Sequence, residues 1–309
     1  METIQKLTEN LQQTVFGERD MLENAVACLI ADGHLLIEGP PGIGKTVMAR
    51  SIAGSIGADF RRIQFTSDLM PADVLGTSVF DREKGEFSFK KGPVFTNVFL
   101  ADEINRANPK TQSSLLEAMD ERGVSVDAGT FRLPTPFFVL ATENPVEFEG
   151  TYSLPEAQVD RFLLRLRMTY PNPDAEKRLY DHGSTEPKVT SLSAVVNCTE
   201  MVELQKQAAD VRVEESLLEY THEVISRTRS HPDVELGVSP RGGLLWLRAA
   251  RALALMSGRD YIVPDDLKKS SIPALAHRLS VIAAQDMEGI SSAQDTIIRR
   301  IIESTEVPR

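Results

Sequence analysis

Residues 39–46, Gly-Pro-Pro-Gly-Ile-Gly-Lys-Thr, have the types and the spacing to grip a phosphate chain. Counted from Gly39 the pattern is G-x-x-x-x-G-K-T, closed by Gly44, Lys45 and Thr46. Phosphate oxygens must meet several backbone N–H groups at once, so the loop has to turn inward with no Cβ in the way. Gly39, Gly42 and Gly44 permit that backbone, and Pro40 and Pro41 stiffen it. A helix starting near Lys45 would aim its positive end at the anion. Lys45 would reach the β- and γ-phosphates, and Thr46 would ligate Mg²⁺. A glycine-rich turn with a chance lysine is the plainer alternative. The context opposes it: a strand-like run precedes the motif and a helix-like run, Val47–Ile56, follows.

A second chemical pair, Asp102-Glu103, follows the apolar run Val98-Phe99-Leu100-Ala101. Such a run suits a strand buried on both faces of a parallel sheet, and these sheets bind ligands at the carboxyl ends of their strands. There Asp102 would hold Mg²⁺ through its water shell, and Glu103 would orient or deprotonate the attacking water. Two acids after an apolar strand are common by chance; behind a phosphate loop they carry weight. Asn144, in Thr142-Glu143-Asn144-Pro145, reads equally well as a hydrogen-bonding group for the γ-phosphate or water and as a turn former before proline. In Gly237-Val-Ser-Pro-Arg-Gly, Ser239 can cap a helix and Pro240 can take its first position. Arg241 then has a fixed direction on the first turn, although many arginines at helix starts are simply solvated.

The elements that must position these residues alternate along the first half of the chain. Residues 3–31 show helical periodicity with a turn at Val15-Phe16-Gly17-Glu18. Strands are expected at His34–Glu38, Phe60–Thr66, Val94–Ala101, Phe137–Ala141 and Leu163–Met168, with a turn-rich stretch at Asp68–Val74. Hairpins are expected near residues 78–89 and 124–133. A helix should begin at Pro109 with Asn108 as its cap, and Pro155–Phe162 looks helical. This alternation predicts an α/β fold with a mostly parallel five-stranded sheet flanked by helices. At Tyr170-Pro-Asn-Pro-Asp the composition shifts. A core of residues 1–172 and an all-α domain of residues 173–309 are expected, the second with helices near Val202–Ala209, Glu214–Arg229, Leu244–Met256 and Asp265–Leu279 and no convincing strand. Pro187–Thr190 reads as a short extended piece.

Composition narrows the function classes. The chain has 309 residues, 41% hydrophobic and 26% charged, as a soluble globular protein of one large or two ordinary domains would have. Its net charge of −11 argues against a protein that coats nucleic acid, though a local basic pore would be compatible. No apolar run approaches the ~18 residues of a membrane span, and the polar N-terminus has no signal-peptide pattern. Cys28 and Cys198 are far apart, which suits a reducing cytoplasm, with a single disulfide as the alternative. His34, His182, His222, His231 and His277 lack metal-ligand spacing and read as structural.

Together the phosphate loop, Leu-Ala-Asp-Glu-Ile-Asn-Arg-Ala at 100–107, Ala-Thr-Glu-Asn-Pro at 141–145, Glu-Gly-Thr-Tyr-Ser-Leu-Pro-Glu-Ala-Gln-Val-Asp-Arg-Phe at 149–162 and Ser-Pro-Arg at 239–241 resemble MoxR-type AAA+ ATPases over nearly the whole chain. The resemblance implies an AAA+ P-loop NTPase core followed by a small helical lid, with ATP and Mg²⁺ as cofactors. It makes residues 39–46, with Ile43 inside and Val47 just after, the Walker A loop, and Asp102 and Glu103 the Walker B pair. Asn144 looks like sensor 1. Arg161 is similar to the arginine finger that reaches a neighbouring subunit's nucleotide, and Arg241 to sensor 2, which reports the γ-phosphate from the small domain. Val15 and Gly17 fall where such proteins cup the adenine, and the two hairpins resemble the helix-2 and pre-sensor-1 inserts. Glu143 departs from the family, which usually carries Gln there, and adds a negative charge beside sensor 1.

The implied function is Mg²⁺-dependent ATP hydrolysis that remodels or matures partner proteins, possessed by a homo-oligomeric ring, hexameric by family habit. The implied partners carry von Willebrand factor A domains. A nucleotide-gated switch with little turnover is the alternative, and a DNA-associated motor a weaker one. Neither nucleic acid nor a membrane span is expected, and the location expected is cytoplasmic.

Overall fold

The structure is a computed structural model and describes residues 2–15, 17–82, 85–126, 129–144, 152, 154–171, 173, 176–177, 180, 189, 192–282 and 287–308. Helices α1 (Glu2–Thr14) and α2 (Arg19–Ile30) lead into strand β1 (Leu35–Glu38). Then come α3 (Lys45–Ser55), β2 (Phe60–Gln64), α4 (Pro71–Leu75), the hairpin β3 (Gly76–Asp81) and β4 (Glu86–Lys91), and β5 (Val98–Asp102). Helix α5 (Pro109–Glu121) is followed by the hairpin β6 (Gly123–Val126) and β7 (Gly129–Arg132), strand β8 (Phe138–Glu143), the single turn α6 (Glu156–Val159) and β9 (Leu164–Arg167).

Five of these strands form one sheet in the order β2-β5-β8-β1-β9, and every pairing in it is parallel. Period-2 alternation sorts each strand's side chains to two faces. Val98 and Leu100, Phe138 and Leu140, Leu35 and Ile37 join one apolar cluster with α1, α2, α3 and the second half of the chain. Phe99 and Ala101, Val139 and Ala141, and Leu36 join another with α5. The central strands β1, β5 and β8 are buried throughout, which is why they read as unbroken apolar runs. Register then sets the chemistry in a row: Gln64 lies opposite Asp102, and Glu38 opposite both Glu143 and Arg167, at the carboxyl ends of the strands.

The second half holds α7 (Cys198–Ala209), α8 (Glu215–Ser230), β10 (Val234–Leu236), α9 (Pro240–Met256), α10 (Pro264–Leu275), β11 (Ser280–Val281) and α11 (Met287–Ser304). Trp246, fully buried, centres this helical layer and donates from its indole Nε1 to the Leu267 carbonyl at 2.9 Å.

Several local expectations need correction. The second half contains a two-stranded antiparallel sheet, β10 with β11, whose strands are too short to show a period and pair across a long sequence gap. The turn-rich stretch at 68–74 includes helix α4, begun by Pro71 and by Asp73 Oδ2 accepting from the Met70 N–H at 2.9 Å. The helix expected over 155–162 is one turn only, because Arg278 bonds the Asp160 carboxylate and the Asp160 and Phe162 carbonyls. The last strand of the parallel set begins as expected near residue 164, whereas β5 starts later, at Val98, and β8 runs on through Glu143. Helix α10 stops at Leu275 soon after the internal Pro273, and a 3₁₀ turn, Ala276–Arg278, completes the stretch. The extended piece expected at 187–190 lies almost wholly outside the described residues, as do Phe16, Pro145 to Thr151, Ser153 and Asn172 at the expected domain boundary.

Candidate functional site

Gly39 ends the turn out of β1, where a Cβ would sit 2.4 Å from the Met168 carbonyl oxygen; only glycine passes there. Gly44 has φ +101 and hands the chain to α3 at Lys45, so the helix N-terminus faces the loop as the sequence predicts. Lys45 Nζ folds back to the Gly39 carbonyl at 2.7 Å and the Glu143 carbonyl at 3.4 Å. Burial pushes its pKa down, opposed by the carboxylates of Asp102, Glu103 and Glu143.

The phosphate loop floors a crevice of about 590 Å³. Its walls bring together the expected Val15, Pro41, Gly42, Ile43, Gly44, Lys45, Thr46, Val47, Asp102 and Glu103. Gly39 and Pro40 lie just behind the wall, and Gly17 packs on Met21 instead of lining it. Sequence reasoning missed Thr14, Arg62, Gln64, Tyr170, Pro171, Glu176 and Tyr180, which complete the lining.

The two acids are held in different ways. Asp102 Oδ1 accepts from Thr142 Oγ1 at 2.6 Å, and Asp102 Oδ2 accepts from Arg62 Nη2 at 2.7 Å and Nε at 3.0 Å. Glu103 Oε2 accepts from Gln64 Nε2 at 2.7 Å and pairs with Arg106 Nε at 2.9 Å. The Glu103 backbone is left-handed, φ 54, a conformation that costs a non-glycine residue about 1 kcal/mol or more and clusters at functional sites. Its N–H donates to Thr142 Oγ1 at 2.8 Å, so one hydroxyl ties both acids to β8. Strand pairing explains why these residues meet: β2 and β8 flank β5 on either side.

Glu143 is buried beside Glu38 and Arg165. Burial first, and the Glu38 charge second, push its pKa up to about 8, against the pull of Arg165 and Lys45. Both causes favour the protonated carboxyl, which works against the extra negative charge expected beside Asn144. Asn144, the residue after β8, is buried and is not among the residues that line the crevice.

Arg161 and Arg241 lie elsewhere. Ser239 caps α9 as expected, its Oγ accepting from the Gly242 N–H at 3.1 Å, and this aims Arg241 at Asp120 on α5. Arg241 Nη2 is 2.8 Å from Asp120 Oδ1, and Arg161 Nη1 is 3.3 Å from Asp120 Oδ2. Among the described residues, no part of the chain beyond Tyr180 lines the crevice. Arg241, expected to report the γ-phosphate from the second half of the chain, does not line the crevice of its own chain. The cause is local: Asp120 and Asp160 both anchor the loop–helix junction of the second half.

The histidines that are buried have structural partners. His34 Nδ1 accepts from the Val139 N–H at 3.1 Å, and burial holds its pKa well below the usual histidine value. Both cysteines are free thiols.

Comparison with known proteins agrees with this geometry. Residues 34–164 match the family model described as "ATPase family associated with various cellular activities (AAA)", and residues 226–301 match the AAA lid domain. The chain is 46% identical to the Bacillus subtilis protein YeaC, covering 98% of this chain and 94% of that one. It is 38% identical to Chaperone MoxR1 of Mycobacterium tuberculosis, covering 99% of this chain and 83% of that one. The crystal structure of a candidate ATPase from Cytophaga hutchinsonii, 36% identical, superposes with a TM-score of 0.89 over 100% of this chain and 96% of that one.

Proposed function

The chain belongs to the MoxR family of AAA ATPases, and from that premise we propose that it hydrolyses ATP with Mg²⁺, as a ring of identical subunits, to remodel or mature partner proteins. The observation that carries the catalytic part is the convergence of Lys45, Asp102 and Glu103 on one crevice floored by a glycine loop.

Both cofactors fit the residues present. The loop offers a positive-φ glycine, a helix N-terminus and a buried ammonium for a triphosphate. The Thr46 hydroxyl and the Asp102 carboxylate are hard oxygen donors, few in number, as Mg²⁺ prefers when phosphates and water complete its shell. Bound Mg²⁺ would neutralise charge on the phosphates. Gln64 and Arg106 fix Glu103 Oε2 so that the carboxylate can take a proton from water. Val15, Val47 and Tyr170 supply an apolar side for the base.

Arg161 and Arg241 stand outside their own crevice, which supports a role on a neighbour's nucleotide. Hydrolysis would then require assembly, six subunits being the family's habit. The proposal divides the chain into a nucleotide-binding core, residues 1–172, and a lid, residues 173–309. Its partners are proteins, those with von Willebrand factor A domains first among them. No role for nucleic acid is assigned, since the net charge is −11. The β3–β4 hairpin supports partner contact: Phe80 and Phe87 face each other across it, 49% and 67% exposed, with ring centroids 5.1 Å apart. Exposed paired aromatics mark contact surfaces. A reducing cytoplasm suits the two free thiols.

Glu103→Gln tests the proposal. The variant should bind ATP, lose turnover and retain partner proteins in a pull-down. Full partner maturation by this variant with ATP bound would establish a switch in place of a remodelling engine.

A further inference from the structure

A second cavity, of about 440 Å³, lies at the opposite ends of the strands, between the amino ends of β1 and β8 and helices α7 and α9. Its lining is strongly unbalanced in charge: Arg122, Lys206, Arg248 and Arg251 face it with one carboxylate, Asp32. In a chain of net charge −11 such a cluster requires a cause.

Part of the cause is structural. Arg248 Nη2 donates to the Ala31 carbonyl at 2.6 Å, and Arg122 Nη2 donates to the Asp32 carbonyl at 2.6 Å and to Asp32 Oδ1 at 2.9 Å. These bonds close the carboxyl end of α2, where cations are favoured. Asp32 answers Arg122, and Glu203, 3.6 Å from Lys206 Nζ, answers the ammonium; Arg248 and Arg251 have no carboxylate within ion-pair distance among the described residues. Burial pushes the Arg122 pKa down, the Asp32 carboxylate opposes it, and the Arg248 charge adds a smaller push in the same direction as burial. Arg251 has no part in the helix end. Its Nε is sealed from solvent and has no hydrogen-bond partner among the described residues. Arg251 nonetheless lines the cavity and has no carboxylate within ion-pair distance among the described residues, so its charge is left for an anion to meet.

We infer that this cavity is a binding site for a small phosphate-bearing anion, distinct from the phosphate loop. Guanidinium forks suit phosphate oxygens in bidentate fashion. Apart from Thr135 and Gln205, the rest of the wall, with Ala31, Pro134, Phe137 and Val202, is apolar and lowers the local dielectric, which strengthens each charged contact. Because Arg122 and Pro134 belong to the α/β half while Lys206, Arg248 and Arg251 belong to α7 and α9, the anion ties the two halves together.

Calorimetric titration of the purified full chain with pyrophosphate and with ADP tests it. Lys45→Ala protein is used so that the phosphate loop contributes little. Saturable pyrophosphate binding is expected, weakened about tenfold or more by adding Arg251→Gln, the loss of one charge-assisted bond. Lys206→Glu, at the solvent-exposed lip, should weaken it several-fold while leaving the fold intact, and it stands in should Arg251→Gln misfold. Tighter binding of ADP than of pyrophosphate, with the same dependence on these side chains, identifies a nucleotide as the source of the phosphate; the reverse order identifies free diphosphate. Absence of saturable binding by either probe at millimolar concentration, or binding indifferent to both substitutions, overturns the site.

Discussion

Arg161 and Arg241, far apart in sequence, hold the two oxygens of one carboxylate: Asp120 Oδ2 lies 3.3 Å from Arg161 Nη1 and Asp120 Oδ1 2.8 Å from Arg241 Nη2. One acid therefore fixes the direction of both cations on a face separate from the chain's own nucleotide crevice. The three side chains are partly exposed, so their contribution to stability is small. Their shared position matters more for what they present.

Arg161→Ala is expected to leave ATP affinity within a few-fold of the parent and to lower turnover of the assembled protein about a thousandfold, the scale of a stabilising arginine lost from phosphoryl transfer. Mixing this variant with Lys45→Ala subunits should restore part of the activity, because each supplies the part that the other lacks. Full turnover by Arg161→Ala alone at every protein concentration would refute a role in trans.

Asp120→Asn should keep Arg161 and Arg241 in place but loosen their pairing. The expected change is a several-fold drop in turnover with nucleotide affinity unchanged, since a positioning contact has been weakened and no phosphate ligand removed. Steady-state ATPase assays beside equilibrium binding separate the two quantities.

Glu143 gives a prediction in pH. Its folded pKa is about 8 against an ordinary 4.5. Between those values the folded protein holds a proton that the unfolded chain releases, so stability falls as pH rises through this window and levels off above it. Glu143→Gln removes the titrating group and keeps its shape. Thermal melts at about pH 6 and about pH 9 should show the parent losing roughly 1–3 kcal/mol more than the variant. Parallel pH profiles for the two proteins would place the proton elsewhere.

How much of this was legible in the sequence follows from where each constraint lies. The phosphate loop was readable because phosphate chemistry dictates residue types at fixed local spacing. The Asn108 cap was readable because a cap bonds three residues on, here to the Thr111 N–H at 3.0 Å. Asp102 and Glu103 were readable because an apolar strand ends in them. Arg62, Thr142 and Asp120 were not, since their meaning comes from strand order and from partners 40 to 121 positions away. The raised pKa of Glu143 comes from burial and from Glu38 beside it across the β1–β8 pairing, which no local pattern encodes.

Thr142 carries the last prediction. Its hydroxyl donates to Asp102 Oδ1 at 2.6 Å and accepts from the Glu103 N–H at 2.8 Å, so one atom orients the carboxylate proposed to hold Mg²⁺ and supports the left-handed backbone of Glu103, the proposed base. Thr142→Val keeps the β-branched shape in a fully buried strand position and removes both bonds. Loss of such an outer partner typically costs 10- to 100-fold, so turnover should drop by roughly that factor and the Mg²⁺ concentration needed for half-maximal rate should rise. Thr142→Ser retains the hydroxyl and should recover most of the rate. If the valine variant hydrolyses ATP like the parent, with the same Mg²⁺ dependence, then Arg62 alone positions Asp102 and the strained backbone at Glu103 is held by the β5 turn itself.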